Sequence, residues 1–115
     1  MIKTQNEMER EVRQPMHDGT GSVEILHVLK MEELHGHTRL FARLTLPPGS
    51  SIGYHVHKSE EEIFYILSGA ALVNDNGKTR TVGAGDAILT GDGAGHSIEN
   101  KGREPVELMA VILTY

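Results

Sequence analysis

From Val23 to Tyr115 the chain is a succession of short apolar segments separated mostly by glycine, proline or asparagine: "VEILHVLK", "TRLFARLTL", "EIFYILSG", "AALVN", "TRTV", "DAILT", "HSIEN" and "VELMAVILTY". Segments of this kind, rich in β-branched and other apolar residues and bounded by turn formers, read as strands. Nothing in the region repeats at the helical period over several turns, which disfavours an alternating strand-helix sheet. The predicted fold is therefore all-β, a sandwich or a barrel. Within "TRLFARLTL" the two-residue strand period puts Leu40, Ala42, Leu44 and Leu46 on one face and Phe41, Arg43 and Thr45 on the other. That second, mixed face suits either a cavity lining or solvent. Asn76-Gly77 is the best local hairpin signal, because both residues tolerate the positive φ angles of a type I′ turn. Pro47-Pro48-Gly49 stops a strand, since proline donates nothing to a ladder and restricts the residue before it.

Residues 1–20 differ from the rest: charge is balanced, apolar residues are scattered, and the stretch runs into "PMHDGTGS", which reads as a turn. They are predicted to form an N-terminal arm, either a short helix or an edge strand, ahead of a β-domain over 21–115. A length of 115 residues fits one domain, and 13 glycines fit a turn-rich fold. The absence of cysteine excludes disulfides, thiolate metal sites and a cysteine nucleophile, so any metal must sit on nitrogen and oxygen. No apolar run is long enough for an export signal or a membrane span, and the expected location is the cytoplasm. A net charge of -5 without a basic cluster argues against nucleic acid, leaving a small molecule as the expected partner.

The chemistry concentrates in "GYHVHKSEEEIFYILSG". His55 and His57, at i and i+2, point to the same side of an extended segment, so both imidazoles reach one point in space. The glutamates that follow offer the oxygen ligand that would complete a site for a hard or borderline cation. Periodicity does not choose among Glu60, Glu61 and Glu62, because both faces of the next strand are apolar: Phe64 and Ile66 on one, Ile63, Tyr65 and Leu67 on the other. Downstream, His96 follows a glycine-dense turn. Gly91, Gly93 and Gly95 lack the spacing of a dinucleotide fingerprint and read as turn glycines, chosen for positive φ or close backbone approach.

These residues carry a resemblance to the cupins. Gly49, His55, His57, Glu62 and Gly69 match the first cupin motif, and Gly85, Gly93, His96 and Asn100 match the second. One departure is Gly91, where the family usually has proline. The resemblance selects Glu62 among the glutamates. It implies a double-stranded β-helix, or jelly-roll, barrel in a single domain, with one divalent transition metal (Mn, Fe, Ni, Zn or Cu) held by His55, His57, Glu62 and His96. It also implies a homodimer, for which the sequence adds an arm able to pair with another subunit's sheet edge.

Arg43, Tyr54 and Asp92 are candidate substrate-contacting or supporting groups, Arg43 from its mixed face and the others from their nearness to the ligands. His35-Gly36-His37 reads as a surface turn, and His17 and His27 receive no role. The expected function is a metal-dependent enzyme acting on a small polar metabolite, of dioxygenase, isomerase, lyase or decarboxylase type. The alternatives are a noncatalytic module that binds or senses a small molecule or metal, and a dimeric structural protein with a stabilising metal. "SSIGY" lacks the arginine that oxalate-processing cupins usually place before the first histidine, which lowers that option.

Overall fold

The computed structural model describes residues 1–115. Its strands are β1 (Glu9–Arg13), β2 (Val23–Leu29), β3 (Thr38–Leu46), β4 (Ser51–Val56), β5 (Glu60–Ser68), β6 (Ala70–Asp75), β7 (Lys78–Gly83), β8 (Ala87–Gly91), β9 (Gly95–Glu99) and β10 (Val106–Thr114). They form a six-stranded sheet in the order β1-β2-β3-β10-β5-β8 and a four-stranded sheet in the order β4-β9-β6-β7. Every strand pairing is antiparallel. This is the all-β jelly roll expected from the sequence. The helical content is two short 3-10 turns, and no helix is long and apolar enough to cross a membrane.

Alternation along the strands builds the core between the sheets. Ala42, Leu44 and Leu46 of β3, Val106, Leu108 and Ala110 of β10, and Phe64 and Ile66 of β5 face Ile52, Ala71, Val73 and Ile98 of the smaller sheet. The face of β3 that carries Leu40, Ala42, Leu44 and Leu46 is thus the inner one. The mixed face looks outward. The second apolar face of β5 is not covered by the chain: Tyr65 and Leu67 are 47% and 41% exposed.

Hairpin chemistry follows the sequence at residues 76 and 77, where Asn76 and Gly77 have φ of 50° and 92°, as a type I′ turn requires. At Gly91 and Gly95 the constraint is close approach. A Cβ on Gly91 would lie 2.5 Å from Cβ of Glu61, and one on Gly95 would lie 2.5 Å from the Tyr54 ring. Gly93 instead needs its left-handed φ of 85°.

Of the two alternatives for the N-terminal residues the edge strand is present as β1, preceded by a three-residue 3-10 turn at Gln5–Glu7. However, β1 pairs with β2 of its own chain, from Glu9 opposite His27 to Arg13 opposite Val23. It therefore lends no support to a dimer formed by exchange of this edge.

The position of the site follows from how the inward rows end. Running backward along β5, the inward residues pass from Ile66 and Phe64 to Glu62 and Glu60. Along β9, buried Ile98 is followed inward by buried His96. One end of the hydrophobic core thus changes into a polar cluster.

Candidate metal centre

Two sheets contribute to this cluster. His55 comes from β4 and is the cross-strand partner of His96 on β9. Glu62 comes from β5, between Thr90 and Ile112 in register. His57 lies just past β4 and is fixed by its backbone, whose N–H donates to Ala94 O and whose carbonyl accepts from Gly93 N. The inward turn of His55 depends on an irregularity in the β4–β9 register between Ile52 and His55. Strict alternation from buried Ile52 would have sent Tyr54 inward in its place.

The four ligand atoms all lie within 4.8 Å of one another. Glu62 Oε1 is 3.0 Å from Nε2 of both His57 and His96 and 3.9 Å from Nε2 of His55. His96 Nε2 is 3.1 Å from that of His57 and 3.2 Å from that of His55. Two nitrogens bound at right angles to one ion, each at about 2.1 Å, would stand about 3 Å apart, so these separations fit a shared cation.

The ring tautomers agree. His55 Nδ1–H donates to the Gly53 carbonyl at 2.8 Å, and His57 Nδ1–H donates to Glu60 Oε1 at 2.9 Å. Both acceptors take a proton and give none, so in the neutral rings each Nε2 is a bare lone pair aimed at the centre. Two lone pairs and a carboxylate converging in a buried pocket call for a positive charge between them. His96 differs, because its buried Nδ1 has no hydrogen-bond partner and its ring is held by stacking on Phe64, centroids 4.8 Å apart.

The protonation tendencies reflect the same convergence. Burial pushes the Glu62 carboxyl up, but in the metal-free cluster hydrogen bonds from His55, His57 and His96, made when their Nε2 atoms carry a proton, together outweigh it and hold the group well below the usual carboxylate range. The hydrogen bond to Glu62 raises His57, against the opposing effect of burial. The Arg39 guanidinium holds Glu60 below its ordinary value, His57 acting in the same direction and burial opposing both. Arg39 reaches Glu60 through two hydrogen bonds of 2.9 Å, so an Arg39–Glu60–His57 chain supports the cluster from behind.

The cluster forms part of the wall of a cavity of about 190 Å³. Polar side chains given no site role from the sequence also line it, Arg13, His17, His27 and Arg39, together with Glu60, one of the three glutamates weighed as a ligand. His17 stacks on His55, ring centroids 3.8 Å apart and planes 12° apart. Burial pushes its imidazole down, and the neighbouring His55 adds to this. Arg13, His27 and Arg39 are distant from the histidine motif in sequence and are brought near it by the antiparallel pairing of β1, β2 and β3, while His17 is brought there by the bonding of its loop to β4.

Arg43, Tyr54 and Asp92 are not among the cavity-lining residues. Arg43 is on the outer face of β3, 3.8 Å from Glu107. Tyr54 is 49% exposed and packs against Gly95. Asp92 occupies a turn at φ 55°, its N–H bonded to the Tyr115 hydroxyl. His35 and His37 are exposed, as the surface reading expects.

Comparison with known proteins bears on the same region. A family model described as "Cupin domain" matches residues 42–112. An oxalate-binding protein from Thermotoga maritima is 46% identical over 113 residues, covering 98% of this chain and 93% of that protein. A solved structure described as a predicted oxalate decarboxylase, also from Thermotoga maritima, has a TM-score of 0.95 at 45% identity over 100% of both chains. The polyketide cyclase RemF from Streptomyces resistomycificus is 20% identical with a TM-score of 0.77, covering 99% of this chain and 80% of that one, and shows the shared fold alone.

Proposed function

Because this chain belongs to the cupin family, we propose that it binds a small dicarboxylate of the oxalate class at a divalent metal held by His55, His57, Glu62 and His96. The observation that carries this reading is the convergence of those four donors, three of which (His55, His57 and Glu62) line a cavity of about 190 Å³, too small for a large metabolite. A divalent transition ion in that donor set would outweigh the single negative charge of Glu62 and offer open positions to carboxylate oxygens. Three neutral imidazoles and one carboxylate suit Mn, Fe, Ni, Zn or Cu. The 46% identical relative named for oxalate binding supports the ligand class. The arginine sought in "SSIGY" has counterparts elsewhere, since Arg13 and Arg39 line the cavity from β1 and β3.

Binding is favoured over turnover because both cavity carboxylates are already engaged. Glu62 is held by imidazoles, and Glu60 by Arg39 and His57, so neither is free to exchange a proton with a ligand. A second reading, turnover of the same ligand by a metal-dependent enzyme, is favoured by His17, a titratable ring facing the cavity.

The test is a titration of Mn²⁺-loaded protein with ¹³C-oxalate, followed by NMR. Saturable binding that requires the metal and disappears in His55→Ala/His57→Ala, with oxalate unconsumed, is the expected result. Consumption of oxalate would install the second reading, and no binding to the loaded protein would sink the first.

The proposal extends to a homodimer packed through the outer face of the six-stranded sheet. There Tyr65, Leu67 and Leu89 are 47%, 41% and 61% exposed, and Ile63 and Val111 lie in register between Phe41 and Leu89. An apolar patch of this kind marks an interaction surface. Light scattering that gives the mass of one chain at micromolar concentration would refute it.

A further inference from the structure

The backbone around His17 is held in a conformation that the β-fold does not require. His17 and Asp18 have φ of 49° and 59°, both in the left-handed region that residues other than glycine occupy uncommonly. Four hydrogen bonds to the β4 segment and within the loop keep them there. Gly53 N and Gly19 N donate to Met16 O at 3.0 and 2.9 Å, Ser51 N donates to Thr20 O at 2.8 Å, and Thr20 N donates to the Ser51 hydroxyl at 2.8 Å. The approach is so close that only glycine fits at two positions. A Cβ on Gly53 would lie 1.8 Å from the His17 carbonyl, and one on Gly19 would lie 2.1 Å from the Ser51 carbonyl. Strain fixed by surrounding structure is characteristic of functional sites, and here it places one imidazole over another.

The His17 ring is also chemically available. His27, His55 and His57 have ring nitrogens bonded to Glu11, Gly53 and Glu60, whereas the one neighbour assigned to the His17 ring is a stacked imidazole face. An imidazole carries at least one ring N–H whether neutral or charged, so the ring is a donor in either form. Together with Arg13 and Met16 from the N-terminal residues, His17 lines the same cavity as Glu62 and Phe64 of β5.

We propose that His17 is a specificity-determining residue. Its ring N–H bonds the end of a bound dicarboxylate that faces away from His55, His57, Glu62 and His96, and its bulk over His55 limits the length of the ligand. This rests on the reading that the cavity takes a metal and a small dicarboxylate. A purely supporting role, in which His17 only buttresses the His55 ring, is the competing explanation. The two differ in what phenylalanine would do, because it keeps a flat ring for stacking and removes the donor.

The experiment uses the full chain loaded with Mn²⁺, with bound metal counted by elemental analysis and affinities for oxalate, malonate and succinate measured by calorimetry. Wild type is expected to favour oxalate. His17→Phe is expected to keep the wild-type metal content and to lose about tenfold or more in oxalate affinity, the worth of one hydrogen bond to a charged group. His17→Ala is expected to lose as much and to narrow the preference for oxalate over succinate, while His17→Gln, which keeps a donor, recovers part of the affinity. Wild-type oxalate affinity in His17→Phe, to within about twofold, would show a buttress only and overturn the proposal. Failure of wild type to bind any of the three acids would overturn the dicarboxylate reading and this proposal with it. Binding by wild type and equally by the variants would overturn this proposal alone.

Discussion

Replacing Glu60 with alanine is expected to weaken metal binding by about tenfold to a hundredfold while leaving all four donors in place. The magnitude follows from the hydrogen bond between His57 Nδ1–H and Glu60 Oε1, 2.9 Å long, between side chains only 4% and 17% exposed. A hydrogen bond to a charged group contributes about 1.5–3 kcal/mol, or roughly ten- to 150-fold in affinity if it is lost from the metal-bound state alone. Arg39 is 49% exposed, so solvent screens its pair with Glu60 and most of the effect belongs to the buried contact. Glu60→Gln retains an acceptor for His57 without the charge and should lie between wild type and alanine, because charge-assisted hydrogen bonds are roughly twice as strong as neutral ones. The assay is competition of Mn²⁺ or Zn²⁺ against a chelator of known affinity, with circular dichroism confirming the fold of each variant. Folded Glu60→Ala that binds metal within about twofold of wild type would refute the reasoning, since the His57 ring would then be oriented without its partner.

Three further outcomes are expected. In metal-free protein, Glu62, lowered from 4.5, contributes stability above that pH that is lost as pH falls through its folded value, whereas His57, raised from 6.5, contributes below that pH and loses it as pH rises through its folded value. The stability advantage of wild type over Glu62→Gln, read from urea midpoints, should thus be greatest between pH 4.5 and 6.5 and shrink on both sides; a flat difference would contradict it. Asn100→Ala should cost about 2–5 kcal/mol by chemical denaturation. Fully buried Asn100 donates to Leu46 O and Glu104 O and accepts from Gly102 N, and a loss under about 1 kcal/mol would show that water replaces these bonds. Gly91→Pro, which restores the residue usual in the family, should lower the melting temperature, because its Cβ would meet Glu61 Cβ at 2.5 Å and Glu60 O at 2.9 Å. An unchanged melting temperature would mean that β5 and β8 separate without cost.

Legibility in the sequence followed the range of the interactions. Local alternation was sufficient for most strands, for the inner face of β3 and for the turn at Asn76-Gly77, because each depends on neighbours a few residues away. It was insufficient at β4, where the irregularity after Ile52 turns His55 inward against strict alternation. It was also insufficient at β5, where both faces are apolar, so periodicity left Glu60, Glu61 and Glu62 open until the structure put Glu60 and Glu62 on the inner face with Phe64 and Ile66. The motif resemblance chose Glu62. No local signal marks Arg13, His17 or Arg39 as cavity residues, since each reaches the site only after distant strands have paired. The closest available hint lay in Gly19 and Gly53, two glycines whose reason is a backbone contact between segments far apart in sequence.

The three imidazoles are each steadied by a different force, and the differences track where the sheet ends. His55 is within β4 and His96 within β9, paired with each other, so backbone ladders set their positions and weak contacts suffice for their rings: a carbonyl and a stacked His17 for one, the face of Phe64 for the other. His57 lies beyond Val56, the last residue of β4, where its backbone bonds to the Gly93–Ala94 turn and not to a strand. That ring is the one held by a carboxylate and an arginine. Electrostatic support is therefore placed where strand pairing gives way to a turn, and the acidic residue supplying it belongs to the same inward row of β5 as Glu62. A single strand can thus bring a donor and a support to the centre, because the two-residue period returns both side chains to one face.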